Sequence, residues 1–429
     1  MIWRVLRRSG RNTTPPWPRP SPRRLSPAGP PELEAGATFR NPDSGESMPE
    51  QNPAASPLKP VAYAGSFGTV PASGFLGTEE AFAKTGRNTG NLAFHAALAG
   101  CIAEPCIAVG FRFDPATIRE TYRAICIPAA NFLYSRFDFS DLAGRLEKAG
   151  LPVVIAGLGA QAGRSVEEVK LKPGTERLLR VLAEHCRTIA VRGDFTAQVL
   201  EHYGVTNYEV LGCPSNFLNP DPGLGQGIAQ RLAGPMERWA FVPTFYDRLA
   251  NFEMRLFRRI SPMVEEIICQ EPLAAVALAR GDRDEALEAW FDGPGFQKYV
   301  PKPDRTAFRH RLRSYFGVEP WIEAYRRLDV VVGTRIHGVN LGWQSGRPAL
   351  IFPHDLRTRE LAEIMGLPVM ATTDAGRETI AKDIVDTIGP YAERFDAVRA
   401  SLATRFGAML ERAGLTPSER LKRIAAGPV

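Results

Sequence analysis

The stretch VVVGTRIHGVNLGWQSGRPALIF, residues 330–352, constrains the fold more than any other part of the chain. An apolar, β-branched run ends in a Thr-Arg-Ile-His-Gly turn. A short helical pattern follows, Ser-Gly-Arg-Pro interrupts it, and a second apolar run begins. Strands this apolar belong in the middle of a covered parallel sheet. With the helix between them they form a βαβ unit. Thr334 is the expected N-cap, with Arg335, Ile336 and His337 filling the first turn, and Gly346 is the residue expected to end the helix.

The same alternation runs through most of the chain. Apolar runs at 60–64, 124–128, 151–156, 188–191 and 208–211 are separated by amphipathic stretches such as 88–100, 141–148, 174–186 and 194–203. A second series begins near WAFVP at 239–243. Strands alternating with helices at this spacing predict α/β architecture with parallel sheets and helices on both faces. The break NPDPGLG near residue 219 suggests a hinge between two units within 218–238. The expected organisation is a tail (1–57), an N-terminal Rossmann-like domain (58–235), a C-terminal Rossmann-like domain (236–385) and closing helices (386–429).

The tail is different material. Residues 1–47 hold nine prolines, eight arginines and four acids, a net +4 out of +6 for the whole chain. Such a segment buries too little surface to offset its ordering entropy. Two origins fit it: a disordered Pro/Arg-rich tail, or a start codon assigned upstream of a true start at Met48. The remainder, at +2, lacks the charge excess of a nucleic-acid-binding protein, so no nucleic-acid partner is expected. No apolar run reaches membrane-spanning length, so the expectation is a cytoplasmic protein without a transmembrane segment, compatible with peripheral contact with a membrane. Six cysteines without a C-x-x-C pair read as buried thiols in a reducing compartment. The His, Asp and Glu residues show no metal-ligand spacing, and no metal or cofactor is expected.

The turn at 334–338 also carries chemistry. The first turn of a helix offers free N–H donors and a partial positive charge. Arg335 adds a guanidinium whose geometry matches phosphate or carboxylate. A histidine beside a bound anion is supported as imidazolium and is placed to donate a proton. The same spacing also fits an arginine paired with a structural carboxylate and a capping histidine. A second strand-to-helix turn, TIAVRGDFTAQ at 188–198, places Arg192 at a strand end with Asp194 as the expected N-cap. Across a cleft from Arg335, Arg192 would complete an anion clamp.

Here the residues resemble a known family. DVVVGTRIHG (329–338) with SGRPALIF (345–352) resembles the C-terminal signature of the polysaccharide pyruvyl transferases. IAVRGDFTAQVLEHYGV (189–205) with EVLGCP (209–214) is similar to their middle motif. The resemblance spans roughly residues 85–375. It implies two Rossmann-like domains facing across a cleft, a glycosyltransferase-B-like arrangement. It also implies phosphoenolpyruvate as donor substrate and a sugar of a surface polysaccharide or glycan precursor, including a lipid-linked oligosaccharide, as acceptor. The product would be a pyruvate ketal. Two carboxylate- and phosphate-matching arginines suit such a donor, and His337 is assigned as the acid. The alternatives are a nucleotide-sugar glycosyltransferase and a non-catalytic relative that binds glycan or phosphate in envelope polysaccharide synthesis.

The chain departs from the family pattern at three places. Asn91 in RNTGN (87–91) stands where the family has an acid; the resemblance makes it a substrate-binding residue but leaves the general base unassigned, and His95, one turn on, is a packing residue or a substitute. AAN (129–131) replaces a glycine loop, putting Asn131 in position to contact a ligand or shape the turn. Cys213 replaces an aspartate and, with no base beside it in sequence, is expected to be inert. The loop GLGAQAG (157–163) is one residue too long for a dinucleotide fingerprint, so NAD is not expected. His354 and Asp355 follow a strand end, where they would face the cleft or pair with each other. The aromatics of FVPTFY (241–246) would stack on a sugar or fill the core.

Overall fold

The computed structural model describes residues 59–161, 165–293, 305–373 and 381–428. The proline-rich segment and the end of the 157–163 loop lie outside the described residues. Residues 56–429 form one compact unit containing two sheets.

The first sheet has six parallel strands: β1 (Val61–Tyr63), β2 (Cys106–Ala108), β3 (Ala124–Pro128), β4 (Val153–Leu158), β5 (Ile189–Val191) and β6 (Tyr208–Val210), in the order β2-β1-β3-β4-β5-β6. The second has five: β7 (Trp239–Val242), β8 (Val264–Ile268), β9 (Leu312–Arg313), β10 (Val330–Gly333) and β11 (Ala349–Ile351), in the order β11-β10-β7-β8-β9. Every strand pair is parallel. The fold is α/β with two Rossmann-like sheets, as the alternating pattern predicts. The edge strands β2 and β9 were not legible in the sequence. Cys106–Ala108 sits in an apolar run of only four residues between Pro105 and Gly110, and Leu312–Arg313 is two residues long with one of them charged.

Alternate residues of the first sheet serve different faces. Val61, Tyr63, Cys126 and Val154 pack on one side, and Ala62, Ile125, Ile127 and Ile155 on the other. This is the period-two geometry of a strand buried on both faces. One face is covered by the far end of a 32-residue helix, Ala381–Arg412. Its first half (Ile384, Ile388, Phe395) joins the core around the second sheet, and its second half (Leu402, Phe406, Met409, Leu410) joins the core on the first. The closing helix therefore returns to the first sheet.

The segment expected as a hinge holds an eight-residue helix, Leu224–Arg231. Asp396 of the long helix accepts hydrogen bonds from Gly225 N at 2.7 Å and Gln226 N at 3.0 Å. Arg399, fully buried, donates to the carbonyls of Asn216 (2.9 Å), Asp221 (2.6 Å) and Asn219. The Pro-Gly break is thus pinned to the long helix by side-chain bonds that its own sequence does not reveal.

Each sheet reverses strand order at one point: between β1 and β3 in the first, and between β7 and β10 in the second. Loops leaving the carboxyl ends of adjacent strands diverge there and open a crevice. The segments leaving those ends begin at residues 64 and 129 in one sheet and 243 and 334 in the other.

Candidate functional site

The helix Ile336–Gln344 begins one residue later than expected. Arg335, not Thr334, is the N-cap. Thr334 is diverted because its hydroxyl donates to the buried carboxylate of Glu253. The same carboxylate accepts Thr244 N at 2.7 Å, Thr244 Oγ1 at 2.8 Å and Phe245 N at 3.2 Å, so Glu253 ties the loop after β7 to the turn after β10. Burial raises its pKa against the pull of these bonds. Gly338 lets the helix lie close to β7: a Cβ there would stand 2.4 Å from Gln270 Nε2 and 2.6 Å from Val242 Cγ1. Gly193, not Asp194, is the N-cap of the helix Asp194–His202; its extended backbone leads into a helix whose first residue is the aspartate.

His337 is 9% exposed. Its ring lies 5.2 Å from that of Phe94, and the guanidinium carbon of Arg192 is 5.4 Å from the same Phe94 centroid. Arg192 is buried, donates Nη2 to Ala129 O at 3.2 Å, and keeps a buried Nε without a partner. The pKa of His337 is held well below the ordinary histidine value, first by burial and then by the charges of Arg192, Arg357 and Arg335 and by His95. Its imidazole is therefore neutral at neutral pH, under the field of three arginines. Burial likewise lowers the pKa of Arg192, with Arg357 acting in the same direction.

Arg335 is engaged. Its guanidinium donates to Glu271 Oε1 and, at 3.1 Å, to Thr244 O, and it lies over the Tyr246 ring at 4.8 Å. The Tyr246 hydroxyl donates to the same carboxylate oxygen at 3.0 Å. Burial opposes the Arg335 charge, but Glu271, Tyr246 and Glu253 outweigh it and raise the pKa. The carboxylate-pair alternative for Arg335 thus describes the protein, while Arg192 makes no ion pair with a carboxylate among the described residues.

A third arginine, Arg357, obeys the rule that marked the other two. It sits where β11 gives way to the helix Leu356–Ile364, contacts Asp355 Oδ2 at 3.2 Å, and reaches Gln161 Oε1 in the loop after β4 at 3.3 Å. Asp355 caps that helix at Thr358 N (2.8 Å) and lies 3.5 Å from His354 Nε2, so the expected loop pair is present. Burial alone would raise the Asp355 pKa, but Arg357, His354 and the Thr358 bonds bring it down to about 2. His354 is lowered to about 4, chiefly by burial.

Asn131 belongs to this region. Its Oδ1 is buried without a partner, and a Cβ on Gly159 would stand 3.0 Å from that oxygen and 3.2 Å from Arg192 Cδ. The glycine loop therefore makes room for an arginine and an amide. Asn91 is spent locally, donating Nδ2 to Thr85 O at 3.0 Å. The neighbour that reaches across is Asn88, with Nδ2 3.5 Å from Glu271 Oε2. His95 accepts Ser66 N at 3.0 Å through Nδ1, and burial lowers its pKa to about 4, which is the packing role. The isolation of Cys213 is corrected: its Sγ lies 3.6 Å from His337 Nε2 and accepts from Ser215 Oγ at 3.1 Å. Its imidazole neighbour is 124 residues away, outside any sequence window. Of the loop aromatics, Phe241 and Phe245 are core, and Tyr246 serves the Arg335 cluster.

Among the described residues, no cluster of His, Cys, Asp and Glu is set up for a metal ion, and no helix is long and apolar enough to cross a membrane.

The loops of two parallel sheets bring arginines near one buried histidine, which defines an α/β protein with a cationic candidate site. The family model for polysaccharide pyruvyl transferase matches residues 113–355, more than half the chain, and the protein belongs to that family. No protein of curated function matches it. Among solved structures it is similar to the S. aureus MnaA–UDP co-structure (10% identity, 84% of this chain and 99% of that one, TM-score 0.42). It is also similar to a putative UDP-N-acetylglucosamine 2-epimerase from Listeria monocytogenes (10% identity, 83% and 98%, TM-score 0.41).

Proposed function

We propose that the protein transfers the pyruvyl group of phosphoenolpyruvate to a saccharide carrying two neighbouring hydroxyls, forming a pyruvate ketal and releasing phosphate. The observation that carries this reading is the set of three strand-end arginines, Arg192, Arg335 and Arg357, acting on the neutral, buried His337. A small ligand with a phosphate and a carboxylate matches several guanidinium groups at once. Family membership supports the reaction class.

The electrostatics give binding a catalytic consequence. Without an anion, burial and then the arginines deny His337 its proton. A polyanion among them offsets their charge and raises the histidine pKa, so the proton arrives with the donor. His337 then donates to the methylene carbon of the enol. The double-bond electrons take up that proton as an acceptor hydroxyl bonds to the adjacent carbon. The second hydroxyl bonds to the same carbon as its bond to the phosphate oxygen breaks. One of the two hydroxyl protons restores His337 and the other leaves with the phosphate.

The test is phosphoenolpyruvate-dependent thermal stabilisation together with phosphate release in the presence of a panel of methyl glycosides. His337→Gln is expected to keep the stabilisation and lower phosphate release by about 10²–10⁴-fold. Arg192→Ala is expected to lose the stabilisation. Stabilisation by a nucleotide sugar and none by phosphoenolpyruvate would sink the proposal.

A further inference from the structure

From the aromatic side chains at the carboxyl end of the first sheet we infer that the protein has a saccharide-stacking site, running outward from Asn131, that holds the sugar acceptor. The inference rests on the proposed transfer and adds to it where the acceptor sits. Phe111 follows β2, and Phe132, Tyr134, Phe137 and Phe139 follow β3. Their rings form a connected strip: Phe111 to Phe132 is 6.2 Å, Phe132 to Phe139 is 4.7 Å, Phe139 to Phe137 is 5.9 Å, and Phe137 to Tyr134 is 6.0 Å between centroids.

A folded protein would ordinarily bury such a strip. Here Phe111 is 37% and Phe137 45% exposed. The loop that presents Phe137 is held from both sides. Leu133 is fully buried and bridges to Ala160, with Leu133 N donating to Gly159 O at 3.2 Å and Gln161 N donating to Leu133 O at 2.9 Å. At the far end Thr175 Oγ1 donates to Phe137 O at 2.9 Å, and Lys172 Nζ donates to Arg136 O at 3.2 Å. Phe132 and Phe139 pack against the core and anchor the strip, while the braced backbone leaves Phe137 exposed beside Phe111, as a preorganised binding surface requires.

The occupant follows from what lies at the inner end. Asn131 precedes the first ring of the loop and packs beside Gly159 and Arg192, with its buried Oδ1 unpartnered. A ligand on the strip therefore approaches the arginine-histidine cluster. An amide oxygen is available for a hydroxyl there, and aromatic faces are available for the apolar C–H faces of pyranose rings. A purely lipid-binding patch would have no use for the buried amide. Phe75, 95% exposed and on a 3-10 turn after β1, serves as a control exposed aromatic outside the strip.

The experiment is saturation-transfer difference NMR with millimolar methyl glycosides of glucose, galactose, mannose and N-acetylglucosamine. Wild type, the Phe111→Ala/Phe137→Ala double variant, Phe111→Leu/Phe137→Leu and Phe75→Ala are compared, with phosphoenolpyruvate thermal shift measured on each. The leucine pair keeps apolar surface without rings and guards against loss of folding. At least one glycoside is expected to receive saturation on its ring C–H protons in wild type and Phe75→Ala. That signal is expected to fall at least several-fold in both double variants, while the phosphoenolpyruvate shift is unchanged in all. Absence of transfer in wild type, or its survival in the double variants, overturns the inference. So does a double-variant defect confined to co-sedimentation with phosphatidylglycerol vesicles. Ring-dependent glycoside transfer without any phosphoenolpyruvate shift would instead refute the proposed donor and leave the saccharide site standing.

Discussion

Arg192 and His337 approach one aromatic ring, the guanidinium 5.4 Å and the imidazole 5.2 Å from the centroid of Phe94. One comes from the turn after β5 and the other from the turn after β10, so the phenylalanine holds together groups that belong to different sheets. The arrangement ties the charge of Arg192 to the proton affinity of His337.

Replacing Arg192 with methionine, which keeps apolar bulk and removes the cation, should raise the His337 pKa toward the ordinary value near ~6.5. Burial and two further arginines still act, so the rise should be partial. Histidine-selective NMR titration of the free protein measures it. A His337 resonance that titrates identically in both proteins would show that Arg192 does not act on it.

Stability should fall on mild acidification. His95 and His354 have folded values of about 4, and His337 lies well below its ordinary value, so all three are depressed against an unfolded value of ~6.5. Between those limits the unfolded chain binds more protons than the folded one. The stabilisation is fully present above about pH 6.5 and is lost as pH falls toward about 4, at up to ~1.4 kcal/mol per pH unit for each histidine. Urea midpoints measured from pH 7 downward test this, and His354→Asn should make the decline shallower. A midpoint that stays level across the window would contradict it.

Glu253→Leu should damage the site from a distance. It strips acceptors from the buried Thr244 N, Phe245 N and Thr334 hydroxyl, at a cost on the order of 2–5 kcal/mol. Thr244 O is also a support of Arg335, so phosphoenolpyruvate-dependent stabilisation should weaken in whatever folded protein remains. Denaturant unfolding and ligand thermal shift report the two effects separately.

Arg399→Met should cost on the order of 3 kcal/mol, because three carbonyls of the 216–221 segment lose their buried donor. Chemical denaturation reads the loss. A substitution within a few tenths of wild type would mean that water replaces the guanidinium.

Arg192, Arg335 and His337 were legible because each follows an apolar run and precedes a helical pattern, which places it at the carboxyl end of a sheet strand. Arg357 satisfies the same rule after β11 and could have been found by applying it once more. Glu271, Tyr246 and Phe94 carry no such mark: each is an ordinary residue until Arg335 or His337 is folded against it. Asn91 was favoured by motif position, but its amide is consumed by Thr85 O, and Asn88 makes the cross-contact to Glu271.

The local pattern of the chain was enough to determine parallel α/β sheets, the strand-end placement of the charged residues and the glycine that ends the helix Ile336–Gln344, since all depend on periodicity and backbone freedom over a few residues. Tertiary structure alone decided which charges meet. Whether an arginine faces a carboxylate or an open edge, and whether a histidine is neutral, depends on burial and on fields from residues more than a hundred positions away. Low-dielectric surroundings make those distant charges strong, and only the folded chain creates such surroundings.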